Sequence, residues 1–118
     1  MTEKQLNDYK PLKMEVKQLE QLRASLIKER EADIKRGWIR DEPGSGFQSI
    51  IDLYAELIEK HRAEILEIEE TINAMAEPCR EICRLHYMEG LPLEAITWRV
   101  NYSLQSVNRY KKKALAYL

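Results

Sequence analysis

Glycine and proline are scarce in this chain, with 4 of each in 118 residues. A β-sandwich or barrel needs turn formers at short, regular intervals, so this shortage argues against either. Cysteine is nearly absent, and the two present, Cys79 and Cys83, lie on one helix face, a poor arrangement for a bridge. No apolar run approaches the roughly 18 residues of a membrane span, so no membrane partner is expected. Met1 to Lys13 is polar and lacks the apolar core of a secretory signal, and a cytoplasmic protein is expected. Neither sign of charge dominates, since the formal net charge is -1. What is abundant is charge itself, at 33%, beside an apolar share of 44% that is too high for a fully disordered chain. An all-α protein is the expectation.

The near-neutral total conceals a division. Residues 1–78 hold 12 Lys and Arg against 17 Asp and Glu, a net of -5. Residues 79–118 hold 7 against 3, a net of +4. An acidic part and a basic part suggest two jobs, the second facing an anionic partner.

Two long helices are expected in the acidic part. Over Asp8–Arg36, Tyr9, Leu12, Val16, Leu19, Leu22 and Leu26 recur at three- and four-residue spacing. Asp8 reads as the N-cap, and Pro11 fits the first turn. Over Ser49–Ala76, Ile51, Tyr54, Ile58, His61, Ile65, Ile68, Ile72 and Met75 alternate at spacings of three and four, the seam of a coiled coil. The first helix can cover that seam as an antiparallel hairpin. Leu53, Leu57 and Ile50 widen the stripe enough to suggest a homodimer through the hairpin. His61 reads as a tolerated seam residue rather than a metal ligand. Between the helices, residues 36–47 hold three Gly and one Pro, with Trp38, Ile39 and Phe47 reading either as a hydrophobic plug over the hairpin end or as a binding loop.

The basic part reads as short helices. Arg80–Glu89 is closed by Gly90, which supplies a left-handed C-terminal turn. Pro92 opens Leu93–Val100, Asn101 serves as the turn residue, and Ser103 caps Leu104 to about Tyr117. A connection of two or three residues favours a steep crossing, as in a helix-turn-helix. Ile96 and Val100 then face Val107 and Tyr110, with Tyr102 plugging the turn. The outer face of the last helix shows Gln105, Ser106, Asn108, Arg109, Lys111, Lys112 and Lys113, groups that read base edges and grip phosphates. The expected boundaries are 1–77 for the hairpin and 78–118 for the DNA-binding part.

The pattern Arg84-Leu85-x-Tyr87-x-Glu89-Gly90-x-x-Leu93-x-x-Ile96, followed by Tyr102-Ser103, Val107, Arg109 and Ala114-Leu115, resembles region four of the bacterial sigma-70 factors. The whole layout is similar to small phage and prophage proteins that join a helical hairpin to such a unit, among them the RinA- and ArpU-like late-gene transcription regulators. The Asp41-Glu42-Pro43-Gly44 loop and Tyr102-Ser103-Leu104-Gln105 are typical of that group. The strong match covers about a third of the chain. Two positions depart from the pattern: Thr97 stands where sigma-type units usually have Ala, and Asn101 where they have Gly.

The resemblance implies a transcription regulator that binds double-stranded DNA in the cytoplasm of a bacterial host. Base contacts are expected from Leu104, Gln105, Asn108 and Arg109, and phosphate contacts from Arg99, Ser103, Lys111, Lys112 and Lys113. RNA polymerase is a further candidate partner. Two alternatives come from other classes: a DNA-recognition subunit of a phage packaging terminase, and a module that docks on RNA polymerase without reading DNA. The Cys79-x3-Cys83-x2-His86 string lacks a fourth zinc ligand nearby, so packing is expected and no metal. No Gly-rich phosphate loop and no catalytic constellation is visible, so a non-enzyme without cofactor is expected.

Overall fold

A computed structural model describes residues 1–40 and 46–118. Among the described residues the elements are all helical: α1 (Glu3–Asn7), α2 (Tyr9–Lys35), α3 (Gly46–Asn73), α4 (Cys79–Cys83) with a π-helical turn Arg84–Met88, α5 (Leu93–Val100) and α6 (Leu104–Leu115). None of the described helices is long and apolar enough to cross a membrane. Two compact units emerge, residues 1–12 with 64–118, and residues 13–63.

The chain becomes helical earlier than the sequence suggested. Thr2, not Asp8, is the first N-cap, and it forms a capping box with Gln5. Asp8 instead interrupts the path between α1 and α2. The reason lies at Pro11, which has no N–H to offer the carbonyl four residues back, at Asn7, and whose ring crowds it. The Asp8 carbonyl then accepts from Leu12 N at 2.9 Å and α2 proceeds.

In the unit of residues 13–63, α2 and α3 run antiparallel. Glu15 lies 3.4 Å from His61, and Glu20 pairs with Arg62. Ile51 and Ile58 of the expected seam are buried, as is Val16. Leu22 is not part of the seam and stays 51% exposed. A 3.5-residue repeat continued from Leu19 reaches Arg23, which is half-buried and lines the interhelical groove with Ile27, Ala55 and Ile58. Trp38 is 72% exposed, with the Arg36 guanidinium 5.0 Å from its ring, so it does not plug the hairpin. The Asp41-Glu42-Pro43-Gly44 part of the loop lies outside the described residues.

In the other unit, Leu6 and Tyr9 are buried, as are Ile65, Ile68 and Ile72 of α3. Tyr9 donates to Glu69 at 2.8 Å, and burial with this carboxylate pushes its phenol up to about 12. α3 stops at Asn73, before the expected Ala76, and its end tightens through Met75 N to Ile72 O at 3.1 Å. After α4, the backbone winds more widely, with Glu89 N donating to Arg84 O at 3.1 Å. Leu85 joins Ile82, Ile96 and Val107 in a fully buried cluster, while Tyr87 is covered separately and reaches Glu3. Gly90, at φ +76, ends the segment as expected, with Leu91 N bonded back to Leu85 O. Lys10 passes so close to Gly90 that an added Cβ would meet its side chain, and its ammonium donates to Glu89 O at 3.4 Å.

Candidate nucleic-acid interface

The geometry of the last two helices begins at Asn101. Its backbone sits in the left-handed region, φ 58 and ψ 32, and its N–H still closes α5 on Thr97 O. A short polar side chain tolerates this conformation better than most. Tyr102 and Ser103 complete the connection. The Ser103 hydroxyl accepts from Ser106 N at 3.1 Å, an N-cap of the expected kind.

α5 and α6 meet through Ile96 and Val107, both fully buried, with Leu93, Val100 and Tyr110 packed around them. Tyr102 does not fill the turn. It stays partly exposed, with its ring 5.5 Å from that of Tyr110.

Burying Val107 and Ala114 orients the remainder of α6. At about 100° per residue, Gln105, Arg109 and Lys112 fall opposite Val107, and all three are exposed. Asn108 and Ser106 flank them, half-buried, and Leu104 is exposed at the N-terminus. The Arg109 guanidinium lies 5.2 Å from the Tyr110 ring. Lys113 is exposed on the flank that carries Tyr110 and Tyr117, beside a cavity of about 580 Å³ that also reaches Met75 and Pro78.

Lys111 differs from its two neighbours. It comes four residues after Val107, on the same side of the helix. Its side chain is only 21% exposed, and its ammonium lies 3.2 Å from the Glu3 carboxylate. The same carboxylate accepts from the Tyr87 hydroxyl at 3.0 Å. These two donors, Tyr87 first, hold the Glu3 carboxyl below its usual range, while burial and Glu3 push the Tyr87 phenol well up. Arg99 is exposed on α5. Of the nine expected site residues, Gln105, Asn108, Arg109 and Lys112 therefore share the outer side of α6, and Leu104, three residues before Val107, is exposed at its N-terminus on the Val107 side. Ser103 caps the helix, Lys113 flanks it, Arg99 stands on α5, and Lys111 pairs with Glu3.

Cys79 and His86 of the C-x3-C-x2-H string each have a backbone partner. Cys79 Sγ donates to Tyr110 O at 3.4 Å, and His86 Nδ1 lies 2.8 Å from Leu91 O. Cys83 is fully buried, and its thiol is pushed up to about 12 by that burial.

Sequence reasoning missed Glu3, Lys10 and Tyr87 as supports of this unit. No periodicity within the first ten residues signals that they bond to residues 87, 89 and 111. Trp98 is 86% exposed.

No family model matches the chain, nor does any curated protein or solved structure.

Proposed function

We propose that this protein is a sequence-specific DNA-binding transcription regulator, with α5 and α6 as a helix-turn-helix of the sigma region four type and α6 as the helix that enters the major groove. The observation that carries this reading is the outer side of α6. There Gln105, Asn108, Arg109 and Lys112 project together, directly after a tight left-handed turn and a serine cap. Amide side chains match adenine edges, arginine matches guanine, and Leu104 matches a thymine methyl. Lys112, Lys113 and the Ser103 hydroxyl supply phosphate contacts. Lys111 supports α6 from behind through Glu3 rather than meeting DNA.

One such module makes few contacts, so two copies are expected on paired half-sites, joined through the hairpin. Ile50 and Leu53 of α3 and Leu22 of α2, all exposed in the unit of residues 13–63, are the apolar groups available for that contact. The resemblance to RinA- and ArpU-like regulators supports a phage or prophage origin and a place in the bacterial cytoplasm, with no catalytic step of its own.

The test is binding to a pool of random duplexes at two salt concentrations. A salt-sensitive affinity with an enriched sequence is expected, because phosphate contacts release counterions and base contacts select. Salt-sensitive binding with no enrichment would sink the sequence-specific reading. An Asn108→Ala/Arg109→Ala double variant that keeps full DNA affinity would sink direct reading by α6.

A further inference from the structure

Trp98 is the most exposed large apolar side chain of the described residues, at 86%. It lies on the side of α5 opposite the buried Ile96, and it lines a concavity of about 440 Å³ together with Glu94, Thr97, Tyr102, Ser103 and Leu104. Two of these, Ser103 and Leu104, form the N-terminus of α6, the end that a reading helix presents first to base edges. The indole therefore borders the candidate groove-facing surface.

We infer that Trp98 is a duplex-DNA contact, its ring seated on the sugar–phosphate backbone beside the groove that α6 enters. The inference rests on the DNA-binding reading and adds a residue to it. Charge decides the class of occupant. Residues 91–118 carry five cations against the single acid Glu94, and with Lys111 paired to Glu3, Arg99, Arg109, Lys112 and Lys113 remain for a partner. Glu94 itself belongs to the first turn of α5, where the helix dipole favours a carboxylate. A polyanion is the complementary partner of such a segment. Indole chemistry agrees, because its N–H can only donate and backbone phosphate oxygens can only accept. Its apolar body suits deoxyribose. The first helix of a helix-turn-helix crosses the backbone while the second enters the groove, which is where a side chain of α5 would meet the strand.

A neutral contact leaves a distinctive mark. Trp98 displaces no counterion, so removing it lowers affinity without changing the salt dependence, unlike the loss of a lysine.

The experiment uses the full chain carrying Trp38→Phe, which leaves Trp98 as its one tryptophan. A fluorescein-labelled random-sequence duplex reports binding by anisotropy, and indole emission reports Trp98. Emission is expected to change in step with anisotropy. In the otherwise native chain, Trp98→Ala is expected to weaken binding about tenfold, the loss of one desolvated aromatic contact, with an unaltered salt slope. Trp98→Phe, which keeps a ring but loses the N–H, is expected to fall between. Helicity by circular dichroism checks that the variants fold, as so exposed a residue predicts.

If anisotropy rises while emission stays flat and Trp98→Ala binds like the native chain, the inference is overturned and the DNA-binding reading stands. If no duplex binds even at low salt, both fall. If emission instead follows protein concentration in the absence of DNA, Trp98 belongs to a protein contact and the inference is overturned.

Discussion

Glu3 and Lys111 form an ion pair at 3.2 Å, so the first helix turn of the chain holds the back of α6. The Tyr87 hydroxyl, 3.0 Å from the same carboxylate, completes a three-residue junction between α1, the π-helical turn and α6. The arrangement explains why one lysine of a run of three is withdrawn from the surface.

The junction makes acid stability depend on Glu3. Its folded-state pKa is lowered, by the Tyr87 hydrogen bond first and the Lys111 bond next. A lowered carboxylate stabilises the fold above its unfolded pKa and loses that contribution as pH falls through the folded value. Glu3→Gln is therefore expected to melt below the native chain at pH 7 and to converge with it at an acidic pH below the folded-state value. Glu81, lowered by Arg84, contributes a similar acid loss that both proteins retain. Thermal melts at the two pH values check this, and an equal gap at both would count against it.

The three lysines should separate in their effects. Lys112→Ala is expected to reduce the slope of log affinity against log salt by about 1 while leaving the melting temperature near native. Lys111→Ala should lower the melting temperature and leave that slope unchanged. Identical salt slopes for the two variants would remove the distinction between an outward and an inward lysine.

Asn101 offers a backbone test. Its left-handed conformation, φ 58, suits glycine and penalises a β-carbon without a local polar group. Asn101→Ala is expected to destabilise by about 1 kcal/mol and Asn101→Gly to be near neutral, measured by urea unfolding. Equal losses in both would mean the asparagine side chain, not its backbone, holds the turn.

Two leucines of the N-terminal half should behave oppositely. Leu6 is fully buried, and Leu6→Ala is expected to cost about 2–5 kcal/mol. Leu22 is half exposed, and Leu22→Ala should stay within about 0.5 kcal/mol. Urea midpoints at low protein concentration provide the comparison. A large loss at Leu22 that grows with protein concentration would instead place it in a contact between copies.

The all-helical class, the long helices and the short helices near residue 100 were legible in the sequence, because each depends on near-neighbour rules. The α3 seam from Ile51 to Ile72 is written in its three–four spacing. Gly90, Asn101 and Ser103 announce their positions through their own backbone preferences and hydrogen-bonding groups. Even the inward turn of Lys111 follows from its distance to Val107, once Val107 is known to be core. Three features were not legible. The early helix start depends on the local competition between the Thr2–Gln5 capping box and Pro11. The exclusion of Leu22 depends on which of two near-equivalent positions, 22 or 23, faces α3. The docking of Glu3, Lys10 and Tyr9 on residues 111, 89 and 69 pairs groups far apart in the chain, and no local spacing encodes such pairs. Periodicity by itself determined that there are amphipathic helices and which residues line their apolar stripes. Only the tertiary structure decided which side chains those stripes cover and which they leave free, Trp98 among them, because burial is a property of what packs opposite and not of the chain that carries it.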